Sequence, residues 1–409
     1  MSNRRHVSIF SLNAPPERTG IAPYVGALAA GLGNAGYDVT LRVAHPHYPE
    51  WRIHEGYGQW YRTDQEAGIV LKRYLHYVPR VPRGIRRFMS EISFGLRLFL
   101  ASWNRPKVII AVSPSLFATA IALIRARFMT RRPRVIVWVQ DIYTLGLEET
   151  GEGNEHVRRI IRWAESKTLR AADLVVAIHD RFAEYLDREL GVSGNIAVIR
   201  NWTHLPNSEL IDAASARSLI GWPLGDFIAV HAGNMGAKQG LENIIDAARI
   251  ASQHDIPIRF VLIGDGGEKR QLKEYARGVS SLDFMDPLSD AEFRLALASA
   301  DVLLVNEKPG VSAMAVPSKL TSYFDAGRPV VAATSFGGIT AAEVSGARAG
   351  IVVDAGNPAA LLDAVISLKG DPHLASVYGA NARQYRRELL DQQIAIERWV
   401  SAIRSLEVS

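Results

Sequence analysis

The chain has no cysteine among its 409 residues. Disulfides, zinc–thiolate centres and thiol nucleophiles are therefore excluded, and the composition suits a reducing compartment. Long apolar runs are missing as well: no uncharged stretch approaches the ~18 residues a spanning helix needs. Met1-Ser-Asn-Arg-Arg-His6 leads into too short an apolar segment for a secretory leader. A cytoplasmic protein, soluble or peripheral on the inner face of a membrane, is expected. Neither Gly-x-Gly-x-x-Gly nor a P-loop occurs, which removes the two commonest nucleotide fingerprints. No Asp-x-Asp pair is present, and no metal or other cofactor is expected.

Acids are scarce in one region. Residues 71–134 carry 14 Lys/Arg against a single acid, Glu91. The net charge of +5 hides a wider asymmetry: residues 1–200 hold 28 basic against 18 acidic side chains, residues 201–409 hold 19 against 24. So one-sided a stretch usually faces something anionic. Within it, Ile85, Phe88, Ile92, Leu96, Phe99 and Trp103 recur at helical spacing, with Arg86, Arg87 and Arg97 off that face. The pattern fits a basic amphipathic helix in a membrane interface or a core helix with a solvated back.

Apolar content of 48% and charged content of 22% describe a globular chain, and the length predicts about two or three domains. Strands and helices alternate. His6–Leu12, a helix over Tyr24–Leu32 and a strand over Asp38–Ala44 make a βαβ unit with Gly20 in its first turn. Strands at Val108–Val112, Val135–Val139, Leu174–Ile178 and Ile196–Asn201 continue the pattern, with helices over Leu116–Met129, 155–170 and His179–Leu190. Asp141 follows a strand, a position that suits a site residue and equally a helix cap. Residues 202–226, with Pro206 and Pro223, read as a hinge. A second alternating series begins at Phe227, and the tail from Leu374 to Leu406 reads as helical throughout. Alternation of this kind implies parallel, doubly wound sheets. The expected domains are 1–202 and 203–384, with a terminal helix of about 385–409 packing back on the first.

The second series opens on Phe227-Ile-Ala-Val-His-Ala-Gly-Asn-Met-Gly-Ala-Lys-Gln-Gly240. An apolar strand, a glycine loop and a helix form a phosphate cradle, because glycine admits an anion close to the backbone and a helix N-terminus offers free N–H groups. Taken alone, the segment is also an ordinary strand-to-helix turn.

In order and spacing, Thr19-Gly-Ile21, His47-Tyr-Pro-Glu-Trp-Arg52, Arg73-Tyr-Leu-His-Tyr-Val-Pro79, Val139-Gln-Asp141, Asn201-Trp202, Gly233-Asn-Met-Gly236, Gly264-Asp-Gly266, Val316-Pro-Ser-Lys319 and Ala326-Gly-Arg-Pro-Val330 span nearly the whole chain. With them the sequence resembles the retaining glycosyltransferases of the GT-B fold, in the large family numbered four. More narrowly it resembles bacterial exopolysaccharide and O-antigen assembly enzymes of the colanic-acid fucosyltransferase type. The resemblance implies two Rossmann-like domains facing across a cleft, a UDP- or GDP-sugar donor, and a lipid-linked glycan acceptor. It places the diphosphate at Gly233, Asn234 and Lys238, with Gly20 offering an N–H. It lines the nucleotide with Gly264, Asp265, Gly266, Ser318 and Lys319, and sets Asp141 at the sugar or acceptor hydroxyl. His47, Tyr48, Glu50, Trp51 and Glu307 are further sugar or acceptor contacts. The basic region 71–134 would then dock on an anionic membrane, with no nucleic acid as partner.

One feature of the family is absent. Its Glu-x7-Glu signature would fall on Met314 and Ser322, so both carboxylates are missing; Glu307 is the nearest acid upstream. Gln239 also stands where many relatives carry Lys, leaving Lys238 as the phosphate cation there. A sugar-nucleotide epimerase of the same fold and a basic nucleic-acid binder are the alternatives from other classes.

Overall fold

Two sheets organise the chain, each in its own unit: Met1–Trp202 with Gln392–Ser409, and Thr203–Asp391. The computed structural model describes residues 5–18, 20–66, 68–150, 154–203, 210–310 and 318–408. Thr19, Pro206, Met314, Val316 and Pro317 lie outside the described residues.

The first unit's strands are β1 (His6–Ser11), β2 (Asp38–Ala44), β3 (Tyr61–Glu66), β4 (Ile69–Tyr74), β5 (Val108–Val112), β6 (Arg134–Val139), β7 (Leu174–Ala177) and β8 (Ile196–Val198). They run in the order β3-β4-β2-β1-β5-β6-β7-β8. Its helices are α1 (Ala22–Asn34), α2 (Ile85–Leu100), α3 (Leu116–Arg127), α4 (Tyr143–Thr150), α5 (Glu155–Arg170) and α6 (Asp180–Arg188). α1 starts at a proline and buries Val25, Leu28, Ala29 and Leu32, one face at helical spacing. All pairings are parallel except that of β3 with β4. This antiparallel hairpin departs from a purely parallel expectation. Its outer strand, Tyr61–Glu66, buries no residue, so it carries no apolar alternation to read.

The face of α2 is also a finding. Most of the apolar stripe lies outward: Ile85 is 73% and Leu100 76% exposed, and Phe88, Met89, Leu96 and Phe99 are exposed too, but Ile92 is half-buried and Trp103, past the end of the helix, is buried. The buried face is Ser90, Glu91, Phe94, Gly95 and Leu98. Close approach explains it, because a Cβ on Gly95 would lie 2.9 Å from the Ala118 Cα of α3. Gly95 brings the two helices together, with Phe94 and Leu98 buried beside it on the same face.

The second unit opens with α7 (Ala213–Ile220), inside the span expected to be only a hinge. Asp212 caps it and Gly221 ends it in the left-handed region at φ 73°. Its strands are β9 (Ile228–Ala232), β10 (Arg259–Ile263), β11 (Leu282–Met285), β12 (Val302–Asn306), β13 (Val330–Ala333) and β14 (Gly350–Val353). The order is β11-β10-β9-β12-β13-β14, and every pairing is parallel. The helices α8 (Glu242–Gln253), α9 (Lys269–Tyr275), α10 (Asp290–Ser299), α11 (Ser318–Ala326), α12 (Ile339–Gly346), α13 (Pro358–Gly370) and α14 (Pro372–Leu389) complete it. Val302 and Leu304 of β12 face one core with α8 and α13, while Leu303 and Val305 face the other with α10 and α11. That period-two split is why both faces of the strand read as apolar.

The helical tail is two helices, α14 and α15 (Gln392–Val408). At the break the buried Arg386 binds Asp325 at 2.8 Å and Asp391 at 3.2 Å. α15 belongs to the first unit. A Cβ on Gly31 of α1 would lie 2.6 Å from the Ile396 side chain, and Trp399 meets Trp138 edge-on at 5.1 Å. Trp399→Ala should cost ~3–5 kcal/mol by leaving a large cavity under β6; urea unfolding followed by circular dichroism checks this.

Candidate functional site

In doubly wound sheets, ligands collect beyond the carboxyl ends of the strands where the strand order reverses. In the second unit the reversal lies between β9 and β12. The turn after β9 packs on the turn after β10, backbone against backbone. A Cβ on Gly264 would sit 2.0 Å from the Gly233 carbonyl oxygen, and one on Gly266 would sit 2.4 Å from that of Met235. Both positions have positive φ, 139° and 157°. Glycine is thus required twice over, by space and by conformation. The Gly233 N–H donates to Ile263 (2.9 Å), and the Met235 N–H donates to the Asp265 carbonyl (2.8 Å). Asp265 itself is exposed, and its carboxylate accepts from the Gly266 N–H at 2.9 Å.

Lys319, at the start of α11, lies over this pair of turns. A Cβ on Gly233 would be 3.6 Å from its Cε and 3.7 Å from its Nζ. Its Nζ is 3.4 Å from Nε2 of His231, whose Nδ1 is 3.1 Å from the Leu304 carbonyl oxygen. A carbonyl only accepts, so Nδ1 carries the proton and Nε2 offers a lone pair to the ammonium. Burial, and then the Lys319 charge, hold the His231 imidazole neutral, well below its ordinary range. Burial pushes Lys319 down to about 8, and the charge of Glu307 opposes that fall. Tyr323, one turn along α11, fixes the helix: its hydroxyl accepts from the Ala232 N–H at 2.8 Å. The Ser318 side chain lies outside the described residues.

The loop after β12 closes the other side. Asn306 donates to the carbonyls of Gln239 and Gly240 at 2.7 and 2.8 Å, and the Lys308 N–H donates to the Lys238 carbonyl at 2.9 Å. Lys238 is exposed on the short helical turn so held, and Asn234 is exposed in the loop before it. Glu307 is gripped by two hydroxyls, those of Thr334 and Thr340. Gly233, Asn234, Lys238, Gly264, Asp265, Gly266, Glu307 and Lys319 thus share one end of one sheet.

The first unit's residues form a second group. A Cβ on Gly20 would be 3.3 Å from the Tyr48 ring. Glu17, unseen in the sequence reading, joins the loops after β1 and β2: it accepts from the N–H groups of His47 (2.7 Å) and Tyr48 (2.9 Å) and from Asn13 (2.9 Å). His47 is buried, its ring 5.0 Å from that of His76 and 5.5 Å from that of Trp51. Burial lowers the pKa of His47, and that of His76 further. Tyr48 and Trp51 are partly exposed and Glu50 is exposed. Trp51 holds φ at 50°, an unusual backbone for an aromatic residue and one that clusters at functional sites.

Asp141 is exposed after β6, and its carboxylate accepts from the Ile142 N–H at 2.9 Å. Glu165 of α5, also unseen in the sequence reading, accepts from the N–H groups of Tyr143 and Thr144 at 2.7 and 3.0 Å. It anchors the start of α4 beside Asp141, and burial raises its pKa. Gln140 and Asn201 exchange amide hydrogen bonds at 3.2 and 2.7 Å, and Trp202 stacks on Trp138 at 6.2 Å. Asn201-Trp202 is therefore a structural part of the pattern.

Two units of largely parallel, doubly wound sheet make an α/β architecture, and comparison with solved structures makes it the GT-B fold. Sucrose-phosphate synthase from Thermosynechococcus elongatus superimposes with a TM-score of 0.74 at 17% identity, covering 99% of this chain and all of that one. Anabaena HepE, solved in complex with UDP, gives 0.71 at 14% identity over 98% of this chain and all of its own. Residues 19–202 match the glycosyl transferase 4-like domain and residues 226–371 the glycosyl transferases group 1 family. Together these cover well over half the chain, which belongs to this glycosyltransferase family. It is 27% identical to WcaI of Escherichia coli (strain K12), described as a colanic acid biosynthesis glycosyl transferase, over 97% of this chain and 99% of that protein.

The Lys319 charge sets a pH dependence. The ammonium is present below about pH 8 and is lost above it, so affinity for inorganic pyrophosphate should fall by up to about tenfold between pH 7 and 9. Calorimetric titration of the wild type against Lys319→Met, which should show a flat and weaker profile, measures it.

Proposed function

We propose that this protein is a retaining glycosyltransferase. It moves a sugar from a UDP- or GDP-sugar to a hydroxyl of a lipid-linked glycan in polysaccharide assembly. The carrying observation is Lys319 poised over the Gly233–Gly264 contact. Departure of a nucleoside diphosphate builds negative charge on its oxygens, and a preorganised cation among close backbone groups stabilises that charge. Lys238 supplies a second, exposed cation. UDP bound to HepE, and the assembly role in the description of WcaI, support the donor and pathway class.

In this reading the C1–O bond to the diphosphate breaks, the acceptor oxygen bonds to C1 on the same face, and the acceptor proton passes to the departing phosphate. Asp141 orients the sugar or the acceptor hydroxyl. With Met314 and Ser322 in place of the expected carboxylates, Glu307 takes a sugar-hydroxyl contact. The Tyr48–Trp51 loop, beside Gly20, meets the acceptor.

The protein works at a membrane surface through α2. Among the described residues no helix is long and apolar enough to cross a membrane, yet α2 turns its apolar stripe outward amid arginines. Such a face binds anionic lipid by area and charge together.

Thermal-shift screening against UDP, GDP and their sugars identifies the donor through stabilisation of the bound form. Proton NMR of the product should then show the anomeric configuration of the donor; inversion would overturn the reading. Asp141→Asn should lower kcat by at least about a hundredfold while donor affinity holds. Phe88→Ser with Met89→Ser should weaken sedimentation with phosphatidylglycerol vesicles by about tenfold. Equal binding of the wild type to phosphatidylcholine would remove the electrostatic part of the membrane reading.

A further inference from the structure

A second outward face lies on α5, beyond the basic region of the sequence. Trp163 and Ile160 are each 63% exposed, and Val157 is exposed beside them. The spacing of three puts Ile160 and Trp163 on one side of the helix, with Val157 at its margin. The opposite side holds the buried Glu165, Thr168 and Leu169. An exposed tryptophan on a helix that already has a packed face is not explained by the core.

Position ties this face to α2. The crossovers from β4 to β5, β5 to β6 and β6 to β7 all advance along the sheet in one direction. Right-handed connections therefore lay α2, α3 and α5 on the same side. α3 touches both neighbours, and it adds Phe128, 83% exposed, just past its own end. The three adjacent helices thus display apolar side chains between arginines.

The charge pattern selects the occupant. α5 carries Arg158, Arg159, Arg162, Lys167 and Arg170, and its acids are Glu155 and the buried Glu165. Glu155 pairs with Arg159 at 2.9 Å, and Glu189 of the following segment pairs with Arg162. A second copy of the chain would bring the same arginines face to face. An anionic lipid surface complements them and accepts the indole at the headgroup level, where tryptophan is favoured.

We propose that Trp163 and Ile160 of α5 form a second lipid-docking foot, which with α2 gives the first unit two points of contact with an anionic membrane. One foot leaves the unit free to roll about the helix axis. Two feet on one helical layer fix which edge of the sheet is presented to a membrane-borne acceptor. This inference rests on the membrane reading made for α2.

The test uses the full chain and vesicles of phosphatidylglycerol or phosphatidylcholine. Ile160→Ser with Trp163→Ser should lower partitioning onto phosphatidylglycerol about tenfold or more, with the thermal shift given by UDP or GDP unchanged as the control for folding. Tryptophan emission quenched by brominated lipid should be partly lost in Trp163→Phe. If the α5 double variant sediments like the wild type while the Phe88/Met89 variant does not, the second foot is wrong and the α2 reading stands. If the wild type ignores phosphatidylglycerol vesicles, both fall. If the α5 variant instead converts a dimer to a monomer in sedimentation velocity with vesicle binding unchanged, the face is a self-association surface and the proposal is overturned.

Discussion

The contact of the Gly233 carbonyl with the place where Gly264 lacks a side chain constrains everything around it. Two strand ends can turn this close only because Gly264 carries no Cβ at the contact, and positive φ at both Gly233 and Gly264 disfavours a side chain at either. The adjacent Met235 is fully buried and hydrogen-bonded to the Asp265 backbone, so the two turns behave as one rigid shelf. Replacing Gly264 would displace the shelf before it touched any ligand, whereas at Gly233 the cost is backbone strain.

A partly buried lysine needs compensation, since desolvation disfavours its charge. The solution here is frugal. His231 gives one lone pair at 3.4 Å, and Glu307 contributes at longer range while its own oxygens are bound by Thr334 and Thr340. The ammonium is stabilised enough to persist near neutral pH without being consumed by a tight ion pair. A group so poised gains from an incoming anion what a fully paired lysine could not.

The first unit solves a different problem with buried carboxylates. Glu17, Glu91 and Glu165 each accept backbone N–H groups at loops or helix starts next to the carboxyl edge of the sheet. Each secures a segment that carries a candidate contact: Tyr48 for Glu17, Asp141 for Glu165, and the Phe117–Tyr143 aromatic pair beside α2 for Glu91. Glu91 is the single acid of the basic stretch, and burial raises it to about 7. These three side chains were not legible as site residues. Their partners are backbone amides between 21 and 31 positions away in the chain, and nothing local distinguishes a buried carboxylate from a solvated one.

What was legible follows the same logic. The glycine turns announce themselves because geometry leaves no other residue, and alternating apolar strands and helices yield the two sheets. β3 was invisible because an edge strand with no buried residue has no pattern to show. α2 is the instructive case: periodicity grouped Ile85, Phe88, Ile92, Leu96 and Phe99 on one face but carried no sign for inside or outside, and it added Trp103, which lies past the helix and is buried. The sign comes from the opposite face. Phe94 and Leu98 are buried there, and Gly95 between them lets α3 approach at backbone level. An apolar stripe whose opposite face is already packed on a neighbouring helix and which is flanked by arginine faces outward. The same test applied to α5 gives a packed inner face of Glu165, Thr168 and Leu169, and leaves Trp163 with no interior to enter.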